Sequence, residues 1–143
     1  MPRLAAAVSI LACCLVSSAC DDPISDIGLQ VRGPDQLTIL WNPCKQGRLA
    51  TSVELEESGG RIVWQIKSER GSPLREFIVG EEPAGFVTVV PLSEELPGVR
   101  LSPSVSGVGP QFFDLTEIEP GRVLVIGDGN MSAEEFWARD TCG

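Results

Sequence analysis

The chain has 143 residues, 43% of them hydrophobic, and a formal charge of −9. It contains no histidine and no tyrosine. Lack of His excludes Ser–His–Asp and Cys–His catalysis and any His-bearing zinc site, and an acidic surface repels phosphate backbones, which sets nucleic-acid binding aside.

The first element is the amino-terminal segment. Arg3 is followed by Leu4 to Val16, an uncharged run of about 13 residues. A bilayer-spanning helix needs roughly 20, so the run reads as the core of a secretory signal peptide. Ser17, Ser18 and Ala19 are small residues of the kind accepted before a cut, which puts cleavage at Ala19–Cys20. The stretch "LVSSAC" resembles bacterial lipoprotein signals: a short charged start, an apolar core, small residues at the last two positions, then Cys. Ser17 stands where those signals usually carry an aliphatic residue. The resemblance implies a diacylglyceryl thioether on Cys20 and an anchor at the extracytoplasmic face of a bacterial cell membrane. Two acyl chains suffice for a stable tether. Ordinary signal peptidase cutting at the same bond would instead give a secreted chain with Cys20 as a leftover thiol.

Cys13 and Cys14 leave with the signal, and Cys20, Cys44 and Cys142 remain. An odd count in an exported chain calls for a free thiol or an intermolecular bridge. Lipid on Cys20 takes it out of that count and leaves Cys44 and Cys142 as one pair, a feature of an oxidising compartment. The chain from Cys20 onward carries 10 basic and 20 acidic residues, a charge of −10. Its length of about 124 residues is enough for one domain. The bias to Arg over Lys, with abundant Ala, Gly, Val and Pro, suggests a high-GC bacterium.

Residues 20–26 read as the lipidated Cys and a short polar stem, and residues 27–143 as one domain. Within it, Ile27, Leu29 and Val31 alternate before "RGPD", and Leu37, Ile39 and Trp41 before "NPCKQG". Leu49, Thr51, Val53 and Leu55 are expected to share one face; Ile62, Trp64 and Ile66 alternate next, then Phe77 and Val79. Phe86 to Val90 has β-branched residues on both faces and reads as a central strand. Val99 and Leu101, bracketed by Pro97 and Pro103, read as a short or edge strand. Phe112, Phe113 and Leu115 form another, and "RVLVIG" closes the series as a buried strand. Eight or nine short strands with turn signals every 8–12 residues or so are the signature of a β-sandwich or barrel. Ser132 with Glu135 is a capping-box pattern, which predicts a short helix in "SAEEFWARD" that lays Phe136 or Trp137 onto the sandwich. The fold expected is all-β, an immunoglobulin-like antiparallel β-sandwich with a short C-terminal helix; another sandwich or a barrel is the alternative. Trp64 sits between two Ile as the mid-strand Trp of immunoglobulin-like domains does, but the Cys–Trp–Cys spacing of true immunoglobulin domains is absent.

Val63, Trp64, Ile66, then Val79, Gly80, Pro83, Gly85, Phe86, and finally Cys142 also resemble a pattern in small exported actinobacterial proteins, a strand "VWxI", a later "VGxxPxGF" and a terminal Cys. That resemblance covers most of the exported chain. It implies fold and export and carries no activity over.

No segment bears a recognisable catalytic motif. Asp128, Asn130 and Ser132 in "GDGNMS" have calcium-loop spacing, yet Ala133 and Arg139 stand where an EF-hand has Gly and Glu, so a surface turn and helix cap is the reading, with no metal and no cofactor. "VGEEPAGF" reads as a strand-to-strand turn in which Gly85 supplies an unusual dihedral, with a ligand loop as the sharper alternative. "SPSVSGVGP", with Ser104 and Ser106, reads as a flexible surface loop that could contact a partner. Trp41 and Trp64 share strand faces with Ile and read as core, which leaves Trp137 as the Trp to expect at the surface. The expectation for function is a monomeric interaction or structural module, not an enzyme, joined to the membrane through Cys20 and meeting a protein or envelope partner through Gly85, Ser104, Ser106 and Trp137. A hydrolase with two carboxylates such as Glu117 and Glu119 on one strand face, and a carrier of a small apolar ligand, are the alternatives.

Overall fold

The computed structural model describes residues 26–93, 100–108 and 111–142. The signal segment 1–19, Cys20 with the stem up to residue 25, and Val99 of the expected short strand lie outside the described residues. The strands are β1 (Asp26–Gly33), β2 (Gln36–Asn42), β3 (Ala50–Glu57), β4 (Ile62–Ser72), β5 (Glu76–Ile78), β6 (Val87–Val90), β7 (Arg100–Val105), β8 (Phe113–Asp114), β9 (Val123–Val125) and β10 (Gly129–Met131), with one helix, α1 (Ala133–Ala138). They form two five-stranded sheets in the orders β10-β9-β1-β2-β5 and β6-β4-β3-β7-β8. Every pairing is antiparallel. Both sheets end in edges, so the architecture is an all-β sandwich and not a closed barrel.

Hairpin chemistry explains the local pairings. Gly33 pairs with Gln36 across Pro34–Asp35, a turn in which Pro supplies the fixed φ of the first corner position. Between β3 and β4, Gly59 and Gly60 take φ of 126° and 87°, values open to Gly at no steric cost. The alternating apolar residues then face inward from both sheets: Ile27, Leu29, Ile39, Trp41 and Phe77 meet Val53, Leu55, Trp64, Ile66 and Phe113 in one continuous core. Phe77 and Phe86 pack edge to face with ring centres 5.6 Å apart.

A second, smaller core lies on the other side of the first sheet. Leu40, Val123, Val125 and Phe136 cluster there, because α1 covers that face. Gly28 makes this possible: a Cβ at that position would lie 2.4 Å from Val123 Cγ1 and 3.1 Å from Phe136 Cε2. Strand β2 is therefore buried on both sides from Leu37 to Asn42.

Three expected strands differ in detail. Leu49 and Thr51 are exposed while Ala50, Val53 and Leu55 are buried, because the register with β4 shifts between Ala50 and Ser52 and a bulge moves one residue to the opposite face. Strand β6 is an edge, not a centre: it pairs only with β4, and Val87 and Val89 are exposed. Strand β7 is the reverse, an inner strand between β3 and β8 that runs through Pro103 to Val105. The Ser106 N–H donates to Ser52 O of β3, so by the alternation of an antiparallel ladder position 103 points away from β3. Pairing with β8 on that far side covers only Arg100 and Leu101, so the missing N–H of Pro103 breaks no ladder bond. The reading of Ser102 to Pro110 as a flexible loop is corrected for Ser102 to Val105, which belong to β7, while Gly109 and Pro110 lie outside the described residues.

Candidate functional site

Asp26 is the first described residue, and the side chains around it form a polar cluster outside the core. Asp26 stands opposite Asn42. Arg139, just past α1, donates from Nε to Asp26 at 2.5 Å and from Nη2 to Asp128 at 2.8 Å. Both carboxylates raise the Arg139 pKa, Asp128 most. The Asn42 amide donates to the carbonyls of Phe136 at 3.1 Å and Arg139 at 3.5 Å, satisfying acceptors that the last turn of a helix leaves open. Cys44, two residues beyond Asn42, has its sulfur 2.05 Å from that of Cys142, with Cα atoms 4.6 Å apart and a sequence separation of 98. That is disulfide distance.

Local sequence explains why α1 reaches this place. Ser132 Oγ accepts the Glu135 N–H at 3.1 Å, and the Glu135 carboxylate accepts the Ser132 N–H at 2.7 Å, a complete capping box. Phe136 is wholly buried and Trp137 is 37% exposed. Their rings meet edge to face at 4.9 Å. The helix therefore forms where the capping pattern predicts and buries Phe136, leaving Trp137 at the surface.

The remaining sequence candidates scatter. Gly85 occupies a turn at φ 87°, closed by the Phe86 N–H donating to Pro83 O. Ser104 lies within β7, opposite Glu54. Ser106, at φ 50°, ties two strands together: its Oγ accepts the Thr51 N–H at 2.8 Å and donates to Leu49 O at 3.4 Å. Ser106 and Trp137 thus lie at or near the end of the sandwich where Asp26, Cys44 and Cys142 meet, whereas Gly85 and Ser104 lie elsewhere.

Asp128 pairs with Arg139. Asn130 Oδ1 accepts the Glu119 N–H at 3.0 Å, and its Nδ2 donates to Glu117 O at 2.7 Å. With Ser132 capping α1, the three residues of calcium-loop spacing each hold a separate piece of backbone or side chain. No group of three metal-ligating side chains converges among the described residues.

Glu117 and Glu119 do not share a strand face. Glu117 closes a 3-10 turn, Leu115–Glu117, and Glu119 follows it in coil, 3.6 Å from Arg122. The cause is Asp114, whose carboxylate accepts the Thr116 N–H and bends the chain out of β8. Among the described residues four carboxyls have displaced pKa values: Glu57 beside Arg61, Glu82 bonded to the Thr88 side chain and N–H, Asp114 bonded to the Thr116 side chain and N–H, and Glu135 bonded to the Ser132 N–H and side chain. All four are held below the ordinary carboxylate range. A two-carboxylate hydrolase needs a carboxyl raised to act as acid, and these four are shifted the other way.

Sequence reasoning missed Asp26, Asn42 and Arg139 as partners. Nothing in their spacing signals it, since Asp26 and Arg139 are 113 residues apart. No protein-family model matches the chain, and neither a curated protein nor a solved structure matches it.

Proposed function

We propose that this chain is an exported β-sandwich tied by lipid on Cys20 to the outer face of a bacterial cell membrane, where it serves as an interaction or structural module. The observation that carries the reading is the apolar segment Leu4 to Val16 ending in "SSAC", taken with the cysteine count. Cys44 and Cys142 lie at disulfide distance from each other, so neither needs Cys20, and Cys20 is left for another chemistry. An oxidised pair also fits an extracytoplasmic compartment. Among the described residues no helix is long and apolar enough to cross a membrane.

Intact mass of the detergent-extracted native protein, with and without reduction and thiol alkylation, tests the proposal. The expected result is a chain starting at Cys20 with added diacylglycerol or more, and two alkylatable thiols only after reduction. A lipid-free chain with one reactive thiol before reduction would overturn the anchor and leave a secreted protein.

A further inference from the structure

The end of the sandwich at which Asp26 emerges differs from the rest of the surface. Asp26 lies opposite Asn42 at the end of β2. The Trp41 N–H donates to Arg75 O, which brings the 73–75 connection to the same end. Ala50 pairs with Ser72, so β3 begins and β4 finishes there. Val125 pairs with both Gly28 and Gly129, which places the Ile126–Asp128 turn beside Asp26. Four of the eight exposed large apolar side chains described fall on or beside this end: Leu49, Leu74 and Ile126 from the three connections, and Trp137 from the last turn of α1.

Charge sorts the same way. Lys45, Arg48, Arg70, Arg75 and Arg139 lie at or near this end with Asp26, Glu69, Glu76, Asp128 and Asp140, an even balance on a chain that carries −10 from Cys20 onward, with Asp21 and Asp22 preceding Asp26 in the sequence. This end is less acidic than the rest of the surface, so anionic headgroups repel it least. Length of chain sets the distance. Cys20 is six residues before Asp26, and six residues reach at most about 20 Å.

We propose that this end, with Leu49, Leu74, Ile126 and Trp137 as its apolar contacts, is a seat that rests on the phospholipid surface and fixes the orientation of the domain. The inference rests on the lipid anchor at Cys20 proposed above. An indole partitions to the headgroup level, with its apolar ring inward and its N–H toward water. Lys and Arg beside it keep their stems on apolar surface while their heads meet phosphate. The opposite end of the sandwich then points away from the membrane and is the face open to a partner.

The test uses the full lipid-linked chain in vesicles of phosphatidylcholine and phosphatidylglycerol, with acyl chains brominated near the headgroup. Trp emission is read against the Trp137→Phe protein, since Trp41 and Trp64 are wholly buried. Intact mass of the same sample reads the lipid on Cys20. Lipid present with the Trp137 contribution quenched by half or more, and that quenching lost in a Leu74→Glu, Ile126→Glu protein of unchanged near-ultraviolet circular dichroism, is the expected result. Lipid present with Trp137 unquenched and open to aqueous iodide overturns the seat and leaves the anchor standing. No lipid on Cys20 overturns the anchor, and the seat with it.

Discussion

Gly28 is the point at which the second core closes, and replacing it with Ala tests that packing directly. The added Cβ would sit 2.4 Å from Val123 Cγ1, well inside the roughly 3.5–4.0 Å at which carbon atoms attract. Val123 is fully buried and the Phe136 ring is the next contact at 3.1 Å, so the methyl group has little room to move aside. Overpacking of this kind costs about 1–3 kcal/mol. Ala in place of Gly also restricts the unfolded chain, which offsets about 0.4–1 kcal/mol, so a net loss of about 1–2 kcal/mol is expected. Val123→Ala removes the clashing methyl and on its own costs about 2 kcal/mol through the cavity it leaves. In the double variant the methyl group introduced by Gly28→Ala occupies part of that cavity, so the two losses should fall short of their sum by about 1 kcal/mol or more. Urea unfolding of the four oxidised proteins, with the slope checked for constancy, measures the cycle. Additivity to within about 0.5 kcal/mol, or a neutral Gly28→Ala, would refute the close approach as described.

A bond between Cys44 and Cys142, which lie at disulfide distance 98 positions apart, would contribute up to about 4.7 kcal/mol in the chain-entropy model; reduction, or Cys142→Ser, should lower the urea midpoint markedly, and an unchanged midpoint counts against a bridge. Asn42→Ala leaves the carbonyls of Phe136 and Arg139 without their buried donor and should cost about 1–3 kcal/mol, with faster amide exchange confined first to the tail beyond α1. Glu135 is held below its ordinary value of 4.5 because it accepts the Ser132 N–H. A depressed carboxyl adds stability that is present above its unfolded pKa and is lost as pH falls through the folded one. The thermal midpoints of Glu135→Gln and the parent should therefore differ most at neutral pH and converge only as the pH falls below 4.5 and through the lowered folded pKa; a gap that persists in strong acid would show that the carboxylate charge is not the source.

The parts of this fold that sequence makes legible are those decided locally. Alternation along Ile27–Leu29 and Leu37–Ile39–Trp41 marks strands because one side of each faces the main core, and Ser132 with Glu135 marks α1 because both partners of the capping box lie within one turn. The misread parts depend on distant chain. Val87 and Val89 look as central as Leu124 does until the sheet order is known, and it leaves β6 at an edge. Pro103 looks like a strand end until β8 is seen to stop short of it. Burial of Leu40 is invisible in β2 alone, since the helix that covers it arrives almost a hundred residues later. The candidate site divides likewise: the pairing of Cys44 with Cys142 follows from counting, whereas Arg139 meeting Asp26 follows only from the closed sandwich.

That meeting has a mechanical consequence. Asp26 begins a strand flanked by β2 on one side and β9 on the other, so tension applied at Asp26 pulls β1 along its own length. Antiparallel hydrogen bonds run perpendicular to the strands, and such a pull shears them together instead of unzipping them one by one. Arg139 grips the very residue where the force arrives, and through Cys142 and Cys44 the same tail is joined to the end of β2. A domain towed from this point resists at its strongest direction, with its last residues bracing its first.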